Sequence, residues 1–493
     1  MAGSVLATPG FALQPSAEQV ALDSNYLSSA DFTWMQQYLP DTYEKEFERY
    51  GNRTISSFLR LVGAEMPSNS DLIKWAEQGR LHTKYTQCGA AVNPAGQAIQ
   101  TFQVNDALVP GTGTIAVRVN QTIMVVWNNG AGSNKAVVTG VGVAAGLAAN
   151  QFSVAYYEAA GSAAATTLVG NSDVTVFIYG SEFMKGKTGM EGSLEADDEI
   201  FDNKPIIIKD KYAVSGSDMA QIGWIEVTTE DGATGYLWYL KSQHETRLRF
   251  DDYLETAMIE AVPAEAASGA SDFLQGLVPG VGAGVADKSG SDGIFYTVNA
   301  RGNVWGGGNP VALADWDAII SRLDNQGAIE ENVVFVNRDF GFDIDDMLAS
   351  QNSYGGGGTS YGLFDNDEEM ALNLGFTGFR RGYDFYKSDW KYLNDPTMRG
   401  NLPSIAGSGR VNGLLVPAGS TSVYDQILGK NAKRPFLHVR YRASQSEDRR
   451  YKTWITGSAG GARTSSLDAM EVHFLSERAV CTLGANNFFL FKD

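Results

Sequence analysis

A long stretch with helical spacing of its apolar residues covers 236–261, and Pro263 ends it. The apolar positions that share one face are Phe250, Leu254, Ala257, Met258 and Ala261. The opposite face places opposite charges four residues apart, in the pairs Lys241 with Glu245, Arg247 with Asp251, and Glu245 with Arg249. Such a helix is about 39 Å long. The pattern fits either an ordinary surface helix or the spine of a large, flat subunit that interlocks with its neighbours.

The N-terminal part of the chain predicts an arm that carries short helices. Asp41 and Glu44 form a capping box at the start of one helix, and Gly51 ends it. Residues 55–62 predict a second helix, and 70–79 predict a third that is capped by the serine at its start. The aromatic residues of the arm are Phe32, Trp34, Tyr38, Tyr43, Phe47 and Tyr50. These side chains either pack on the chain's own body or bind a neighbouring subunit.

Residues 86–180 carry few charges and repeat a period-two pattern of apolar residues. The predicted strands are 114–120, 123–127, 136–143, 152–157 and 174–179. Turns that contain glycine and asparagine separate them. Short strands at this spacing are typical of a small antiparallel sandwich or barrel. Because the sequence on both sides is charged and mixed, we interpret 86–180 as an inserted all-β domain.

Residues 181–235 predict a long exposed hairpin that leads directly into the helix at 236–261. Its two apolar strands are 205–214 and 222–229, joined by a Gly-Ser-Asp turn. A two-stranded ribbon is only marginally stable in isolation. We therefore expect it to pack on a partner, which makes oligomerisation a physical expectation.

The remainder of the chain predicts a mixed α/β core, because helix and strand patterns alternate. A connector rich in small residues is followed by a predicted hairpin at 294–307 and a predicted helix at 314–327. The strand 333–336 leads through 337–350 to a second helix. Predicted strands of the tail are 410–418, 435–443, 468–485 and 488–492.

Composition narrows the class of protein. The chain has 493 residues, of which 43% are hydrophobic and 19% charged, so we expect two to four globular domains. The net charge of −19 argues against wrapping nucleic acid by neutralising its phosphates. Cys88 and Cys481 are too far apart in sequence to indicate a disulfide framework. No membrane span and no secretory signal are recognisable, so we expect a soluble protein made in the cytosol.

Candidate chemistry along the chain is weak. The four histidines are scattered: His82, His244, His438 and His473. Two glycine patterns nominally fit a dinucleotide fingerprint, at 111–116 and 140–145, but each leads into sequence typical of strands and not of a helix. We interpret His244 as an ordinary helix residue. No Walker A motif and no nucleophile elbow occurs.

Two acidic clusters and two lysines complete the candidates. The clusters are Asp339, Asp343, Asp345 and Asp346, and Asp365, Asp367, Glu368 and Glu369. Their carboxylates could bind a divalent ion, but neither has the twelve-residue calcium loop, and we interpret both as solvated or helix N-terminal charge. Lys185 and Lys187 lie in a glycine-rich loop that could reach a neighbour. We therefore assign no catalytic, cofactor-binding or metal residue, expect no cofactor, and predict that the chain is not an enzyme but a structural protein.

Four segments give the chain a likeness to a known family: 180–195, 222–258, 370–400 and 471–480. In these segments it resembles the major capsid proteins of crAss-like tailed phages, which have the Hong Kong 97-type capsid fold. The likeness extends from about residue 20 to the end and is weakest in the insert. It implies an α+β fold. The implied parts are an N-terminal arm (1–66), an E-loop region (67–85 and 181–235), an inserted β-sandwich or barrel (86–180), a spine helix with P-domain (236–309), an A-domain (310–434) and C-terminal P-domain strands (435–493).

The resemblance implies a subunit that self-assembles into the icosahedral head shell around phage double-stranded DNA. Implied partners are copies of itself in hexamers and pentamers, with portal, scaffold and head decoration or auxiliary proteins. The DNA would be enclosed without sequence-specific binding, no membrane would be involved, and the virion would be made in the host bacterial cytoplasm. Two alternatives stay open: an encapsulin-like compartment shell, and a secreted carbohydrate-binding or adhesive β-rich protein.

Overall fold

The computed structural model describes residues 64–79, 84–91, 99–105, 115–128, 132–158, 174–192, 198–220, 227–228, 234–235, 238–265, 268–276, 289–326, 329–352, 377–395, 398–400, 402, 410–425, 430–461 and 463–493. The chain divides into two compact units. Unit 1 consists of Met1–Trp75 and Asp202–Asp493, and unit 2 consists of Ala76–Phe201. The predicted arm helices at 41–51 and 55–62 and the acidic cluster at 365–369 lie outside the described residues.

The described strands are, in chain order, β1 (Ala64–Ser68), β2 (Ile73–Gln78), β3 (Lys84–Ala91), β4 (Ile99–Val104), β5 (Gln121–Trp127), β6 (Ser133–Val141), β7 (Gln151–Tyr156), β8 (Val174–Ser181), β9 (Asp198–Asn203), β10 (Ile206–Ser215), β11 (Val227–Thr228), β12 (Thr234–Gly235), β13 (Asn303–Gly306), β14 (Glu331–Val336), β15 (Gly378–Arg381), β16 (Tyr383–Asp389), β17 (Val411–Pro417), β18 (Ser420–Asp425), β19 (Lys430–Pro435), β20 (Leu437–Arg442), β21 (Lys452–Gly457), β22 (Ala469–Thr482) and β23 (Phe489–Lys492). The described α-helices are α1 (Gly216–Met219), α2 (Trp238–Glu260), α3 (Gly269–Leu274), α4 (Ile294–Arg301), α5 (Leu313–Gln326), α6 (Arg338–Asn352) and α7 (Lys391–Asn394). Among them, no helix combines the length and the apolar character that a membrane crossing requires.

The first sheet of unit 1 brings together strands from both ends of the chain. Its order is β1-β20-β22-β10, and β21 also pairs with β22. β1 runs parallel to β20, whereas β10 runs antiparallel to β22. The 14 residues of β22 allow it to pair with β10 along one edge and with both β20 and β21 along the other. This long C-terminal strand is therefore the centre of the first sheet.

Helix α2 lies across the first sheet and confirms the helix predicted at 236–261. The buried side chains between helix and sheet are Val214, Phe250, Leu254, Met470, Val472 and Phe474. Phe250 stacks on Phe474, with 5.7 Å between the ring centroids, and meets Tyr451 edge-on at 5.4 Å. Arg249 on the same helix lies 3.2 Å from Asp210 of β10. Apolar packing and a charge contact thus hold α2 on the first sheet.

The second sheet of unit 1 has the order β13-β23-β17-β14-β16-β15. β14 runs parallel to β16 and antiparallel to β17, so the sheet is mixed, in agreement with the predicted α/β core. On α5, Trp316, Ile319 and Leu323 recur at helical spacing and are fully buried. The ring of Trp316 meets Phe379 edge-on at 4.8 Å and lies 5.1 Å from Phe385. An aromatic core therefore joins helix α5 to the second sheet.

Two local predictions for unit 1 and its border are wrong. Residues 70–79 were predicted as a helix, but β2 is a strand that pairs with β9, and its side chains alternate between buried or half-buried and exposed positions. Residues 294–307 were predicted as a hairpin, but α4 occupies most of the segment before β13. Ile294, Phe295 and Val298 fall on one helical face and are buried. A Cβ on Gly293 would lie 2.5 Å from the carbonyl oxygen of Ala261, so a glycine is required where α4 begins beside the end of α2.

The predicted exposed hairpin at 181–235 is also wrong as a single two-stranded ribbon. β10 pairs with the C-terminal β22 over its whole length, because that strand offers both a backbone edge and an apolar face. β9 pairs with β2, and the short β11 pairs with β12. Residues 221–226, which contain most of the second predicted strand, lie outside the described residues.

Unit 2 is built around a closed antiparallel barrel with the order β3-β4-β7-β6-β5-β8. Its interior is filled by side chains that include Phe102, Ile123, Val125, Trp127, Phe152, Val154, Val174 and Val176. The predicted strands at 123–127, 136–143, 152–157 and 174–179 correspond to β5 to β8. The strand predicted at 114–120 is wrong: within the described 115–120 the chain forms turns, although Ile115 and Val117 still point into the core. Unit 2 extends beyond the predicted 86–180 on both sides.

Candidate interaction surfaces

The side chain of Asn203 joins three parts of unit 1 where the chain enters β10. Its Nδ2 donates to the carbonyl oxygens of Val480, at 2.7 Å, and Asp292, at 3.0 Å. Its Oδ1 accepts from the Ser291 hydroxyl at 2.9 Å and from the backbone N–H groups of Asp292 and Lys204 at 2.9 and 2.8 Å. Asn203 is only 4% exposed, so these hydrogen bonds form out of contact with water. They fix the position of β10 against the C-terminal strand.

Glu260 ties the end of α2 to the segment that follows β16. Its Oε1 accepts from the Tyr392 hydroxyl and from Arg399 Nη1, each at 2.8 Å. The guanidinium of Arg399 also lies over the ring of Phe295, 5.2 Å from its centroid. Burial, and after it the charge of Glu260, raises the pKa of Tyr392, so this hydroxyl remains a donor at neutral pH. The two sheets of unit 1 are linked at this point.

Strand β1 is held by charge as well as by pairing. The carboxylate of Glu65 pairs with Arg450 and lies 3.4 Å from Arg478 Nη1. The side chain of Arg478 is buried and also donates to the Ser476 hydroxyl at 2.9 Å and to the carbonyl oxygen of Arg450 at 3.1 Å. The first described strand is therefore fixed to the C-terminal part of the chain.

An open groove of about 470 Å³ lies beside α2, where the helix meets β10. Its lining residues are Ile208, Tyr253, Thr256, Ala257, Glu260 and Ala261. β10 stands at the end of the order of the first sheet, and in the part of the chain that the structure describes no strand pairs with its outer edge. Ile207 on this strand is 54% exposed and Tyr253 on the helix is 46% exposed. An open strand edge beside an apolar groove is a surface suited to contact with another chain.

The face of the first sheet opposite α2 carries polar and aromatic side chains. Trp454 stacks on His473, with 5.1 Å between ring centroids, and the Thr456 hydroxyl lies 2.7 Å from His473 Nε2. Lys211 Nζ lies 3.1 Å from Glu471 Oε1, and this hydrogen bond lowers the pKa of the Glu471 carboxyl. His473 is therefore a packed residue of the sheet. Of the other histidines, His438 is buried on β20, with Nδ1 3.2 Å from the Pro435 carbonyl oxygen.

The two remaining histidines and the glycine patterns give no site either. His244 lies within α2, as predicted, and His82 lies outside the described residues. At 140–145, β6 is followed by a single 3-10 turn, Val143–Ala145. The N–H of Gly142 donates to Gln151 O at 2.8 Å, and the N–H groups of Ala145 and Leu147 donate to Gly142 O at 3.0 and 3.1 Å. These backbone donors are used within the turn, so the loop does not offer them to a phosphate.

The described acidic cluster lies on α6, and three of its carboxylates have protein partners. Asp339 Oδ2 lies 3.0 Å from Arg410, Asp343 Oδ2 accepts from Asn309 at 2.6 Å, and Asp345 Oδ1 lies 2.5 Å from Lys387. The described residues contain no group of three or more His, Cys, Asp and Glu side chains placed to hold a metal ion. Burial raises the pKa of the thiols of both free cysteines, Cys88 and Cys481, to about 12.

The loop after β8 and the outer wall of the barrel form the exposed surface of unit 2 with the most apolar character. Lys185 and Lys187 are exposed on either side of Gly186, whose φ of +80° allows the turn between them. Tyr157, Phe177, Tyr179 and Met184 are exposed by 52%, 37%, 45% and 75%. The predicted lysine loop is therefore accessible, and it lies directly after a strand with exposed aromatic rings.

No protein-family model matches the chain, and no curated protein matches it. Among solved structures, a chain from Microbacterium phage Oxtober96 is similar at 11% identity with a TM-score of 0.39, over 94% of this chain and 98% of that one. The capsid of a native GTA particle is similar at 9% identity and a TM-score of 0.35, over 95% and 99%. The holo-SrpI encapsulin complex from Synechococcus elongatus PCC 7942 is similar at 8% identity and a TM-score of 0.35, over 95% of each chain.

Proposed function

We propose that this chain is the major capsid protein of a crAss-like tailed phage and self-assembles into the icosahedral head shell that encloses double-stranded DNA. The observation that carries the proposal is the arrangement of α2 across a sheet made from both ends of the chain, with an open strand edge and an apolar groove beside the helix. This arrangement has the order of parts that the sequence resemblance implies. The proposal gives the chain no catalytic role.

The parts of the subunit follow from this proposal. Residues 236–309 supply the spine helix and P-domain, and 435–493 supply the closing P-domain strands. Residues 310–434 form the A-domain, whose sheet is completed by β13 and β23 from outside that range. The arm is 1–66, the E-loop region is 67–85 with 181–235, and the barrel within 86–180 is an inserted all-β domain.

Shell formation requires each subunit to make several different contacts, because one self-complementary patch gives only a dimer. The groove beside α2, the open edge of β10 and the exposed wall of unit 2 are three chemically different surfaces. We propose that copies of the chain meet in hexamers and pentamers through such surfaces. Portal, scaffold and head decoration or auxiliary proteins are the other proposed partners in the virion.

The charge of the chain suits a container for DNA. With a net charge of −19, a shell of many copies repels the phosphate backbone and does not bind it by counterion release. We propose that the genome is enclosed without sequence-specific contacts, and that the particle is assembled in the host bacterial cytoplasm. No membrane takes part in this proposal.

The test is expression of the full chain alone and with a co-expressed scaffold, followed by negative-stain electron microscopy and analytical ultracentrifugation. Shells, sheets or isolated hexamers and pentamers are the expected products, and particles from infected cells should contain nuclease-protected DNA. A chain that stays monomeric under every condition contradicts the proposal. Closed particles that enclose a protein cargo and exclude DNA in the native host identify the encapsulin-like alternative.

A further inference from the structure

The outer wall of the unit 2 barrel carries a line of side chains that crosses four strands. Phe177 of β8 pairs with Met124 of β5, which in turn pairs with Lys135 of β6. The backbone N–H of Tyr157, directly after β7, donates to the carbonyl oxygen of Lys135 at 3.1 Å. Neighbouring strands are about 4.8 Å apart, so this row is about 14 Å long. We call these four residues, with Tyr179 and Glu182 beside them, the aromatic row.

Side chains on a strand alternate between the two faces of the barrel, which places the aromatic row outside. Val174 and Val176 of β8 are fully buried in the barrel, whereas Phe177 and Tyr179 are 37% and 45% exposed. Tyr157 is 52% exposed. The aromatic rings are therefore accessible to a ligand without any movement of the barrel.

Two polar groups of the aromatic row are held in place by its rings. Lys135 Nζ lies 5.4 Å from the centroid of the Tyr179 ring, in a cation–π contact. The hydroxyl of Tyr157 donates to the carboxylate of Glu182. That hydrogen bond is the largest of the effects that raise the pKa of Tyr157 to about 12, so the hydroxyl stays protonated over the physiological range. A fixed ammonium group and a fixed carboxylate thus flank accessible rings.

The size and charge of the aromatic row select its ligand. A fully covered aromatic side chain buries about 150–250 Å², so three half-exposed rings offer roughly 300 Å². A stable protein interface needs about 800 Å² from each partner. Lys135 and Glu182 cancel in charge, and the net charge of −19 on the whole chain disfavours polyanions. A small, neutral and amphipathic ligand fits these properties.

We propose that the aromatic row of unit 2 binds a neutral carbohydrate. The apolar C–H faces of a sugar ring stack on the faces of Tyr157 and Phe177, whose π-systems carry negative charge. The hydroxyl groups at the edge of the sugar donate to Glu182 and accept from Lys135. This function goes beyond formation of a shell and does not depend on it, because the whole row lies within one unit of one chain.

The test measures binding of the full chain to surfaces coated with galactomannan, xylan, β-glucan or dextran, by interferometry. We expect binding to at least one of these four neutral polysaccharides. The double variant Tyr157→Ala with Phe177→Ala should bind about tenfold more weakly, because it lacks both stacking rings. The matched control is Tyr386→Ala on β16, since Tyr386 is 53% exposed but lies in unit 1, and it should bind like the unchanged chain.

Binding to none of the four polysaccharides overturns the proposal, as does equal binding by the double variant or an equal loss in Tyr386→Ala. Retention only on an anionic polysaccharide such as alginate also overturns it. Each variant is first checked for an unchanged thermal unfolding midpoint. If the double variant does not fold, Lys135→Gln takes its place. This exposed substitution should weaken binding at least about threefold, and unchanged binding then counts against the proposal.

Discussion

The side-chain amide of Asn203 donates a hydrogen bond of 2.7 Å to the carbonyl oxygen of Val480, 277 residues further along the chain. Asn203→Ala removes this bond and leaves the buried Ser291 hydroxyl and the backbone groups around it without their partner. We expect the free energy of unfolding of unit 1 to fall by about 3 kcal/mol, as measured by urea denaturation. The control is Asn299→Ala, because the half-buried Asn299 accepts a hydrogen bond of 3.2 Å from Lys492, and its loss should cost less than about 1 kcal/mol. Equal costs for the two variants would contradict the role given to Asn203.

Phe250 is the residue of α2 on which the packing of helix against sheet most depends. Phe250→Ala removes a fully buried ring together with its stacking on Phe474, and should lower the free energy of unfolding by about 3–5 kcal/mol. Thermal unfolding followed by tryptophan fluorescence measures the change. Tyr253→Ala, three residues later on the exposed side of the same helix, should shift the stability by no more than about 0.5 kcal/mol. A larger loss in Tyr253→Ala than in Phe250→Ala would show that the two faces are assigned the wrong way round.

The groove beside α2 predicts a variant that folds but does not assemble. Tyr253→Ser and Ile207→Ser together remove apolar surface that a neighbouring copy would cover, while both residues are about half exposed in the single chain. We expect the unfolding midpoint to be unchanged and the yield of particles in ultracentrifugation to fall at least about tenfold. Val143→Ser, at a position that is 76% exposed on unit 2, is the control and should assemble normally. Normal yields from the double variant would remove this groove from the list of shell contacts.

Tyr392 predicts how stability depends on alkaline pH. Burial and the charge of Glu260 raise its pKa above the ordinary value of 10.0, so the folded state keeps the proton longer than the unfolded state does. The contribution of this hydroxyl is therefore complete below pH 10 and is lost as the pH rises through the folded-state pKa. Urea denaturation between pH 8 and pH 11.5 should show Tyr392→Phe as less stable at about neutral pH and the gap narrowing above about pH 10. A gap that stays constant to the highest pH would mean that Tyr392 does not titrate in this way.

Glu65 predicts the effect of releasing β1. Glu65→Gln leaves the buried Arg478 without its carboxylate partner and should cost about 1–3 kcal/mol, with faster proteolysis at the N-terminal side of the first sheet. Glu447→Gln is the matched control, because the ion pair of Glu447 with Lys452 is exposed and should contribute about 0–1 kcal/mol. Proteolysis at the same rate in both variants would indicate that β1 is held by backbone pairing alone.

Elements whose signal is local could be predicted from the sequence. Helix α2 follows from the spacing of Phe250, Leu254 and Met258, all of which are buried. Strands β5 to β8 follow from period-two patterns between turn residues. By contrast, residues 73–78 carry both Ile73 and Trp75 on a strand face and a polar composition compatible with a helix. In such short segments the partner decides the structure, and the partner of β2 is β9, more than a hundred residues away in sequence.

The candidate surfaces were the least predictable part. The pairing of β10 with β22 depends on residues separated by most of the chain, and no local pattern around Ile206 or Ala469 indicates it. Asn203 and Arg399 act through buried hydrogen bonds to distant groups, and in sequence they are an ordinary asparagine and an ordinary arginine. The exposed rings of Tyr157 and Phe177 lie within predicted strands, but only the barrel register shows that they share one line.

The first sheet of unit 1 has a consequence for synthesis on the ribosome. β1 leaves the exit tunnel early, but its partner β20 and the central β22 belong to the last part of the chain to be made. At about 5–20 residues per second, β1 waits tens of seconds for them, whereas the strands of unit 2 emerge together and can close their barrel during translation. A nascent chain therefore lacks the completed surface around α2 until termination, which keeps polysome-bound copies from associating prematurely.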